Sequence, residues 1–318
     1  MPDLRPLGRT GLRVSSLCLG GNVFGWSADE DASFEVLEAY AAAGGNFVDT
    51  ANSYSAWAPG NKGGESETII GRWLKGRGDR GEMVIATKCG MQPKGLKRDQ
   101  IWREAEGSLR RLDVGCIDLY YAHEDDADVP LEETLGAFGE LVDQGLVTAI
   151  GASNYPAARL AEARRISEDS DLPSYEVLQP RYNLVVRRDY EGPIQELCQE
   201  EGIAVAPYTP LARGFLTGKY RLDKPIPDSV RARGVLGYLG DPRALAILAA
   251  VDEVAAATDA SPAQVALAWL LAKPEIPTVI ASATRVGQLE DLMPASELEL
   301  SPEQVATLDA AGGPSAGR

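Results

Sequence analysis

Histidine is almost absent from this chain: its 318 residues contain one, His123. That scarcity excludes any metal site built on several histidines, and any imidazole chemistry must run through this single side chain. The four cysteines, Cys18, Cys89, Cys116 and Cys198, are scattered with no C-x-x-C pair. This is the pattern of reduced, mostly buried thiols in a cytoplasmic protein and argues against both a disulfide framework and zinc. Apolar runs approaching the roughly 20 residues that span a bilayer are missing, and residues 1–8 carry no apolar stretch of the secretory kind. Cations are also in deficit, with 31 Lys and Arg against 47 Asp and Glu and a net charge of -16. That balance repels nucleic acid and anionic membranes, so neither is an expected partner. It leaves room for a local arginine cluster that binds a small anion. Nothing in the composition speaks to oligomeric state.

What is present is alternation. Short apolar runs, often β-branched or aromatic, fall at 17–20, 46–49, 83–88, 116–123, 147–152, 175–179, 203–207 and 278–281, as expected of parallel strands buried on both faces. Amphipathic stretches such as 32–43, 66–74, 99–112, 132–142 and 157–166 lie between them. Ser66 and Asp99 stand at candidate N-caps, Pro156 at a first-turn position, and Ser261 before Pro262. Strand after strand, each followed by a helix, predicts an α/β fold, a (β/α)8 TIM barrel, over residues 1–311 as a single domain. A doubly wound sheet is the competitor, but no linker or composition shift divides the chain. Residues 9–15 read as a turn and short strand, an N-terminal hairpin outside the barrel. Residues 210–241, rich in Gly, Pro and Arg, read as a long irregular segment, and such loops are usually functional. Extra helices at 242–257 and 262–272 follow, and residues 312–318 read as a flexible tail.

Gly76, Gly78 and Gly81 spell G-x-G-x-x-G. The dinucleotide fingerprint needs a strand before it and a helix after, so that the helix N-terminus meets the pyrophosphate. Here a helix precedes and a strand follows, so the segment reads as an ordinary connection.

In α/β barrels chemistry gathers at the carboxyl ends of the strands. The second strand ends at Asp49, with Tyr54 shortly beyond; the third ends at Lys88 and the fourth at His123. Singly, each has a plain structural alternative: a helix cap, a surface aromatic, a solvated strand end, a packed histidine. Together they permit one specific chemistry. A phenol that ionises near ~10 exchanges protons poorly at neutral pH. A nearby lysine, itself held by Asp49, stabilises the phenolate and lowers that value, while His123 donates a hydrogen bond to a substrate carbonyl. Such a site moves a proton but supplies no hydride, so it requires a redox cofactor.

These residues sit in ordered blocks that resemble the aldo-keto reductase family over nearly the full chain. Asp49-Thr50-Ala51-x-x-Tyr54 is similar to its D-T-A-x-x-Y block. Gly64-Glu65-Ser66-Glu67 through Gly71, and Ser108-Leu109-Arg110-Arg111-Leu112 leading to His123, resemble the next two. Further blocks are Ile150 to Asn154, Val177 to Asn183, and Tyr208 to Tyr220. The resemblance implies a barrel that binds NADPH without a Rossmann domain and reduces an aldehyde or ketone to an alcohol. Tyr54 would be the acid, with Asp49, Lys88 and His123 around it. It implies that Ser153, Asn154 and Gln179 hold the nicotinamide carboxamide and that Tyr208 stacks on its ring. Thr209, Pro210, Leu211, Ala212, Gly214 and Lys219 would wrap the pyrophosphate. Ser282, Thr284, Arg285 and Gln288 would enclose the adenosine, with Arg285, and Arg231 or Arg233, suited to a 2′-phosphate. Gly21, Asn22, Asp49 and Asp291 complete the implied cofactor set.

The chain departs from the family pattern in three places. Gly21-Asn22 stands where a threonine is expected near strand one, Ile280-Ala281-Ser282 replaces I-P-G, and Asp291-Leu292 replaces a Glu-Asn pair. Trp26 and Trp57, with Phe215 or Tyr238, either line an apolar substrate pocket or pack the barrel rim. Two other functions stay open: a Schiff-base aldolase or isomerase using Lys88, and a cofactor-sensing subunit like the potassium-channel β branch. That branch resembles this chain in fold but carries asparagine at the position of His123.

Overall fold

The computed structural model describes residues 4–78, 80–227 and 229–312. A hairpin of β1 (Arg5–Pro6) and β2 (Arg13–Val14) opens the chain. Strands and helices then alternate: β3 (Leu17–Gly20), α1 (Glu30–Ala42), β4 (Phe47–Asp49), α2 (Glu65–Arg77), β5 (Val84–Cys89), α3 (Arg98–Leu112), β6 (Ile117–Ala122) and α4 (Leu131–Asp143). The second half runs β7 (Val147–Ser153), α5 (Ala157–Ser170), β8 (Tyr175–Gln179), α6 (Pro193–Glu201), β9 (Ala204–Val205), α7 (Ala232–Leu239), α8 (Pro242–Thr258), α9 (Pro262–Leu271), β10 (Val279–Ala281), α10 (Val286–Leu292) and α11 (Pro302–Ala310). The eight strands β3 to β10 are parallel and adjacent in chain order. The seam between β9 and β10 is joined by Tyr208, which bridges both Arg181 and Ile280, and by the Ile280 amide on the Pro207 carbonyl at 3.0 Å. The expected (β/α)8 barrel is the observed fold.

Side-chain alternation along the strands places the site. Leu17, Leu19, Val48, Ile85 and Tyr120 face the helices, whereas Cys18, Phe47, Val84, Ala86, Leu119, Tyr121 and Val177 fill the barrel interior. Because the strand period is two, the next inward positions are Asp49 after Phe47, Lys88 after Ala86, His123 after Tyr121 and Gln179 after Val177. Polar residues thus crown an apolar barrel core at its carboxyl end. Leu7 and Val14 of the hairpin join the same interior cluster. Gly151 is bare because a Cβ there would meet the Tyr121 ring at 2.5 Å.

Several local expectations change. The N-cap of α2 is Gly64, left-handed at φ 87, and that of α3 is Lys97. Ser66 and Asp99 lie inside the first turns, where Asp99 favours the helix dipole. Pro156 is the N-cap of α5 itself, whereas Ser261 forms the expected cap, completed by Gln264 as a capping box. Residues 210–241 are not wholly irregular, since α7 occupies their end. The glycine run at 76–81 does join α2 to β5, with Gly78 as a left-handed C-cap. Of the expected tail, Gly312 accepts a hydrogen bond from Arg243, and residues 313–318 lie outside the described residues. No single helix among the described residues is long and apolar enough to cross a membrane.

Helix α2 approaches α3 most closely at Gly71, where an added Cβ would stand 2.3 Å from the Arg111 carbonyl oxygen. Backbone cannot yield as a flexible side chain does. Gly71→Ala is expected to destabilise the fold by about 1–3 kcal/mol, the cost of overpacking, as read by urea unfolding. An unchanged midpoint would refute this contact.

Candidate active site

The segment after β4 stays against β5: the Thr50 amide donates to the Ala86 carbonyl at 2.8 Å and the Asn52 amide to that of Lys88 at 3.3 Å. It then turns sharply at Ser55, left-handed at φ 68, whose hydroxyl donates to the Phe24 carbonyl at 2.6 Å. This turn ties down the chain directly after Tyr54. Glu104 of α3 braces it from below. Its buried carboxylate accepts from Asn52 Nδ2 at 2.7 Å, from the Gly90 amide at 2.9 Å and from Gln100 Nε2 at 2.8 Å. The loop bearing Tyr54 and the strand end beyond Lys88 therefore hang on one side chain.

At the mouth, Lys88 Nζ lies 2.7 Å from both Asp49 oxygens, 2.7 Å from the Thr50 carbonyl and 2.9 Å from the Tyr54 hydroxyl. The Tyr54 hydroxyl donates to Asp49 Oδ2 at 3.2 Å, and Gln179 Nε2 donates to Oδ1 at 2.9 Å. Lys88 is 0% and Asp49 1% exposed; Tyr54 is half-buried. Burial lowers the Lys88 pKa, against the Asp49 charge that raises it. The Tyr54 phenol is pushed well above its usual range, first by burial and then by the Asp49 charge and hydrogen bond. This corrects the expectation that Lys88 would lower it: burial, and after it the Asp49 carboxylate, favour the neutral phenol. His123 is 6% exposed and its Nδ1 is buried without a partner. Burial, then the Lys88 charge, hold the imidazole neutral well below the ordinary range.

The motif residues around this set are structural ties. Ser66 Oγ donates to the Gly21 carbonyl and accepts from Thr50 Oγ1, both at 2.8 Å. Fully buried Glu67 accepts from Thr87 Oγ1 and Arg111 Nε, both at 2.6 Å. These bonds bolt α2 and α3 to β5 one residue before Lys88.

A cleft of about 860 Å³ opens from Tyr54 and Asp49. Of the residues expected at a cofactor, its walls contain Asn22, Tyr208, Thr209, Pro210, Leu211, Gly214, Lys219, Arg231, Ser282, Thr284, Arg285, Gln288 and Asp291. Asn154 and Ser153 join through hydrogen bonds: Tyr208 OH donates to Asn154 Oδ1 at 2.9 Å, Asn154 Nδ2 to Ser153 Oγ at 3.1 Å, and Ser153 Oγ to the Gln179 carbonyl at 2.9 Å. Six expected residues are not in the wall: Ser153, Asn154 and Gln179, tied to it by these bonds, and Gly21, Ala212 and Arg233. Gly21 packs on Ser66 and the Asp49 carbonyl, Ala212 is buried, and Arg233 points to solvent on α7. Gly20, Ser27, Thr217, Val230 and above all Arg213 line the cleft and went unnoticed in the sequence. Their only signal was proximity to recognised blocks.

Arg213, Lys219, Arg231 and Arg285 all face this cleft, and none makes an ion pair among the described residues. Arg231 is crowded enough that burial, with Arg213 adding repulsion, lowers its pKa. Thr209, Ala212, Arg213 and Gly214 are left-handed, at φ 53, 47, 59 and 96. The turn is closed on itself, with the Ala212 amide on the Thr209 carbonyl at 3.0 Å and the Gly214 amide on that of Leu211 at 2.8 Å, so what it offers the cleft is charge from its side chains.

Beside Tyr54 stands an aromatic row. Trp57 meets Tyr54 edge-on at 6.1 Å and Trp26 at 5.7 Å, and Tyr54 meets His123 at 6.0 Å. Trp57 is 52% exposed. Phe215 instead is fully buried against Tyr238, so it belongs to the core. No group of three or more His, Cys, Asp or Glu suited to a metal occurs among the described residues.

A parallel barrel with an Asp–Lys–Tyr–His set at its carboxyl mouth and a cationic cleft alongside has the makings of a proton-transfer and anion-binding site. The chain belongs to the aldo/keto reductase family, whose model matches residues 16–312. It is 34% identical over 292 residues to an aldo-keto reductase of Strobilurus tenacellus, covering 90% of this chain and 82% of that protein. It is also 34% identical over 323 residues to a probable voltage-gated potassium channel subunit beta of Oryza sativa, covering 96% and 94%. An aldo-keto reductase of Schizosaccharomyces pombe named for NADP(+) is 30% identical over 294 residues, covering 89% and 83%.

His123 is the only histidine, so its imidazole gives a single resolvable Cε1–H resonance. With the folded pKa below the usual 6.5 and the unfolded value near it, the folded state binds fewer protons as pH falls through that range. Stability is therefore expected to decline below about pH 6.5. The resonance itself should keep its neutral-form shift from pH 7.5 to 5.5 by NMR. A titration centred near 6.5 in the folded protein would contradict the burial described.

Proposed function

We propose that the protein reduces an aldehyde or ketone to the alcohol with NADPH as hydride donor. The observation that carries this reading is the Tyr54 hydroxyl, set 2.9 Å from Lys88 Nζ and 3.2 Å from Asp49 at the head of a cleft lined by unpaired cations. The residues present fit a phosphorylated dinucleotide: Arg213, Lys219, Arg231 and Arg285 line the cleft with no ion-pair partner among the described residues. Ser153, Asn154 and Gln179 would hold the carboxamide, Tyr208 the ring, the 209–219 segment the pyrophosphate, and Ser282, Thr284 and Gln288 the adenosine. Arg285, exposed at the cleft edge, suits a 2′-phosphate. When bound, the dinucleotide supplies the hydride that the side chains lack.

The chain's own residues supply the rest. His123, neutral and with Nδ1 shut away, presents Nε2–H to the carbonyl oxygen and orients it. Tyr54, protonated at neutral pH because burial and Asp49 favour the phenol, gives that oxygen its proton. Lys88 then faces the phenolate and steadies its charge. The same geometry speaks against the Schiff-base alternative. Lys88 Nζ has its hydrogens committed to Asp49, Thr50 and Tyr54, leaving no free lone pair for attack on a carbonyl. The second reading is a cofactor-sensing subunit, favoured by the similarity to potassium channel β subunits. The complete proton-transfer set, His123 included, favours turnover.

Fluorescence titration is expected to show binding of NADPH, and absorbance loss at the nicotinamide band to show turnover with a screened aldehyde or ketone. Tyr54→Phe should lower kcat by roughly 10²–10⁴-fold, while Arg285→Ala should weaken NADPH more than NADH. Full activity in Tyr54→Phe would remove its assigned role. Tight dinucleotide binding without turnover of any carbonyl would favour the sensing subunit.

A further inference from the structure

Gln179 and Asp49 stand on opposite sides of the barrel. In the ring of eight strands, β8 and β4 lie four places apart. Yet Gln179 Nε2 reaches Asp49 Oδ1 at 2.9 Å across the mouth. Gln179 is buried and its own carbonyl is fixed by Ser153 Oγ at 2.9 Å, so the reach is held from both ends. Asp49 receives Lys88 on both oxygens, Tyr54 on Oδ2 and Gln179 on Oδ1. Around Tyr54 and Asp49 the remaining titratable groups are Cys18, Tyr121, His123 and Tyr208. Gln179 is thus a neutral donor that touches the carboxylate without adding charge.

A hydrogen bond to a carboxylate satisfies part of its acceptor strength and stabilises its charge. Remove that donor, and the same negative charge bears more strongly on the Tyr54 hydroxyl bound to the other oxygen. The side-chain amide of Gln179 also has more to offer than one N–H. With one N–H committed to Asp49 and the amide also against the Tyr121 hydroxyl, Oε1 remains as an acceptor for the N–H of another primary amide.

We propose that Gln179 is a positioning residue that acts through Asp49: its amide sets how tightly the carboxylate engages the Tyr54 hydroxyl, and couples that engagement to the carboxamide bound in the mouth. This rests on the dinucleotide reading above. It makes one side chain serve both halves of the site, where a contact to the cofactor alone would leave proton transfer untouched.

The test compares Gln179→Met and Gln179→Glu with the unsubstituted protein, using Arg285→Ala as a variant that touches the dinucleotide far from Asp49. Two quantities are read: NADPH affinity by fluorescence, and the pH dependence of kcat for alcohol oxidation, the direction in which Tyr54 must lose its proton. Both Gln179 variants are expected to move the inflection to higher pH. At a fixed pH below the inflection, kcat should fall on the order of three- to tenfold. Arg285→Ala should weaken NADPH binding and leave the inflection in place. The glutamate variant preserves shape and reports the same direction of shift if the methionine variant does not fold. Weaker NADPH binding with an unmoved inflection in both Gln179 variants would overturn the proposal. If the unsubstituted protein binds no dinucleotide, the underlying reading falls together with it.

Discussion

The mouth of this barrel depends on keeping an ammonium and a carboxylate charged where water does not reach. Transfer of either ion out of water costs several kcal/mol even after the surroundings relax, and mutual attraction offsets that only with close geometry and full hydrogen bonding. Both conditions are met: Lys88 Nζ finds its acceptors at 2.7 to 2.9 Å, and Asp49 has donors on both oxygens. Tyr54 is therefore part of the solvation shell of the pair as well as a proton donor. Its hydroxyl oxygen helps satisfy the lysine while its hydrogen helps satisfy the carboxylate. Much of the nearby structure exists to hold those partners still. The Thr50 carbonyl is aimed by its own amide on Ala86, and the Tyr54 turn is braced by Glu104 and by Ser55 on Phe24.

The second half of the site works against the charge of the whole molecule. A net charge of -16 repels anions at long range, yet four cations line the cleft without carboxylate partners. Elsewhere many arginines are paired, as Arg159 with Asp125, Arg111 with Glu67 and Arg221 with Asp252. Screening confines the general repulsion to about 8 Å at physiological salt, so inside the cleft the local cations decide. The like charges of Arg213 and Arg231 make no ion pair among the described residues, in keeping with the polyanionic ligand proposed above.

The Asp49, Lys88 and His123 half of the site was legible because strand periodicity is rigid. Alternation from Leu119 to Tyr121 to His123, and from Val84 to Ala86 to Lys88, carries inward-facing positions straight into the mouth, so runs of residues already implied a cluster. The direction of the Tyr54 shift was not legible, because it turns first on how deeply the phenol is buried and then on its approach to Asp49, and that is a matter of ångströms. Caps were misplaced where glycine or lysine, not Ser66 or Asp99, begins the helix. Arg213 stayed hidden for a different reason. Its place in the wall follows from a left-handed backbone at a non-glycine residue, and no propensity predicts that conformation.

Two of the three departures from the family pattern explain one another. Ser282 Oγ donates to Asn22 Oδ1 at 2.5 Å, so the residue after β10 and the second residue after β3 are joined where those two strands pair. Gly20 must then stay bare, because a Cβ on it would stand 2.7 Å from that same Ser282 oxygen. A side chain introduced at Ser282 is thus accommodated by its absence at Gly20 and by an acceptor at Asn22. The third departure is different in kind: Leu292 is buried and packs in the core, so at that position apolar contact replaces an amide. The proton-transfer half is pinned by buried ions that tolerate no substitution without stranding a charge. The wall of the cleft has only to preserve shape and hydrogen bonding, and it is there that this chain has changed.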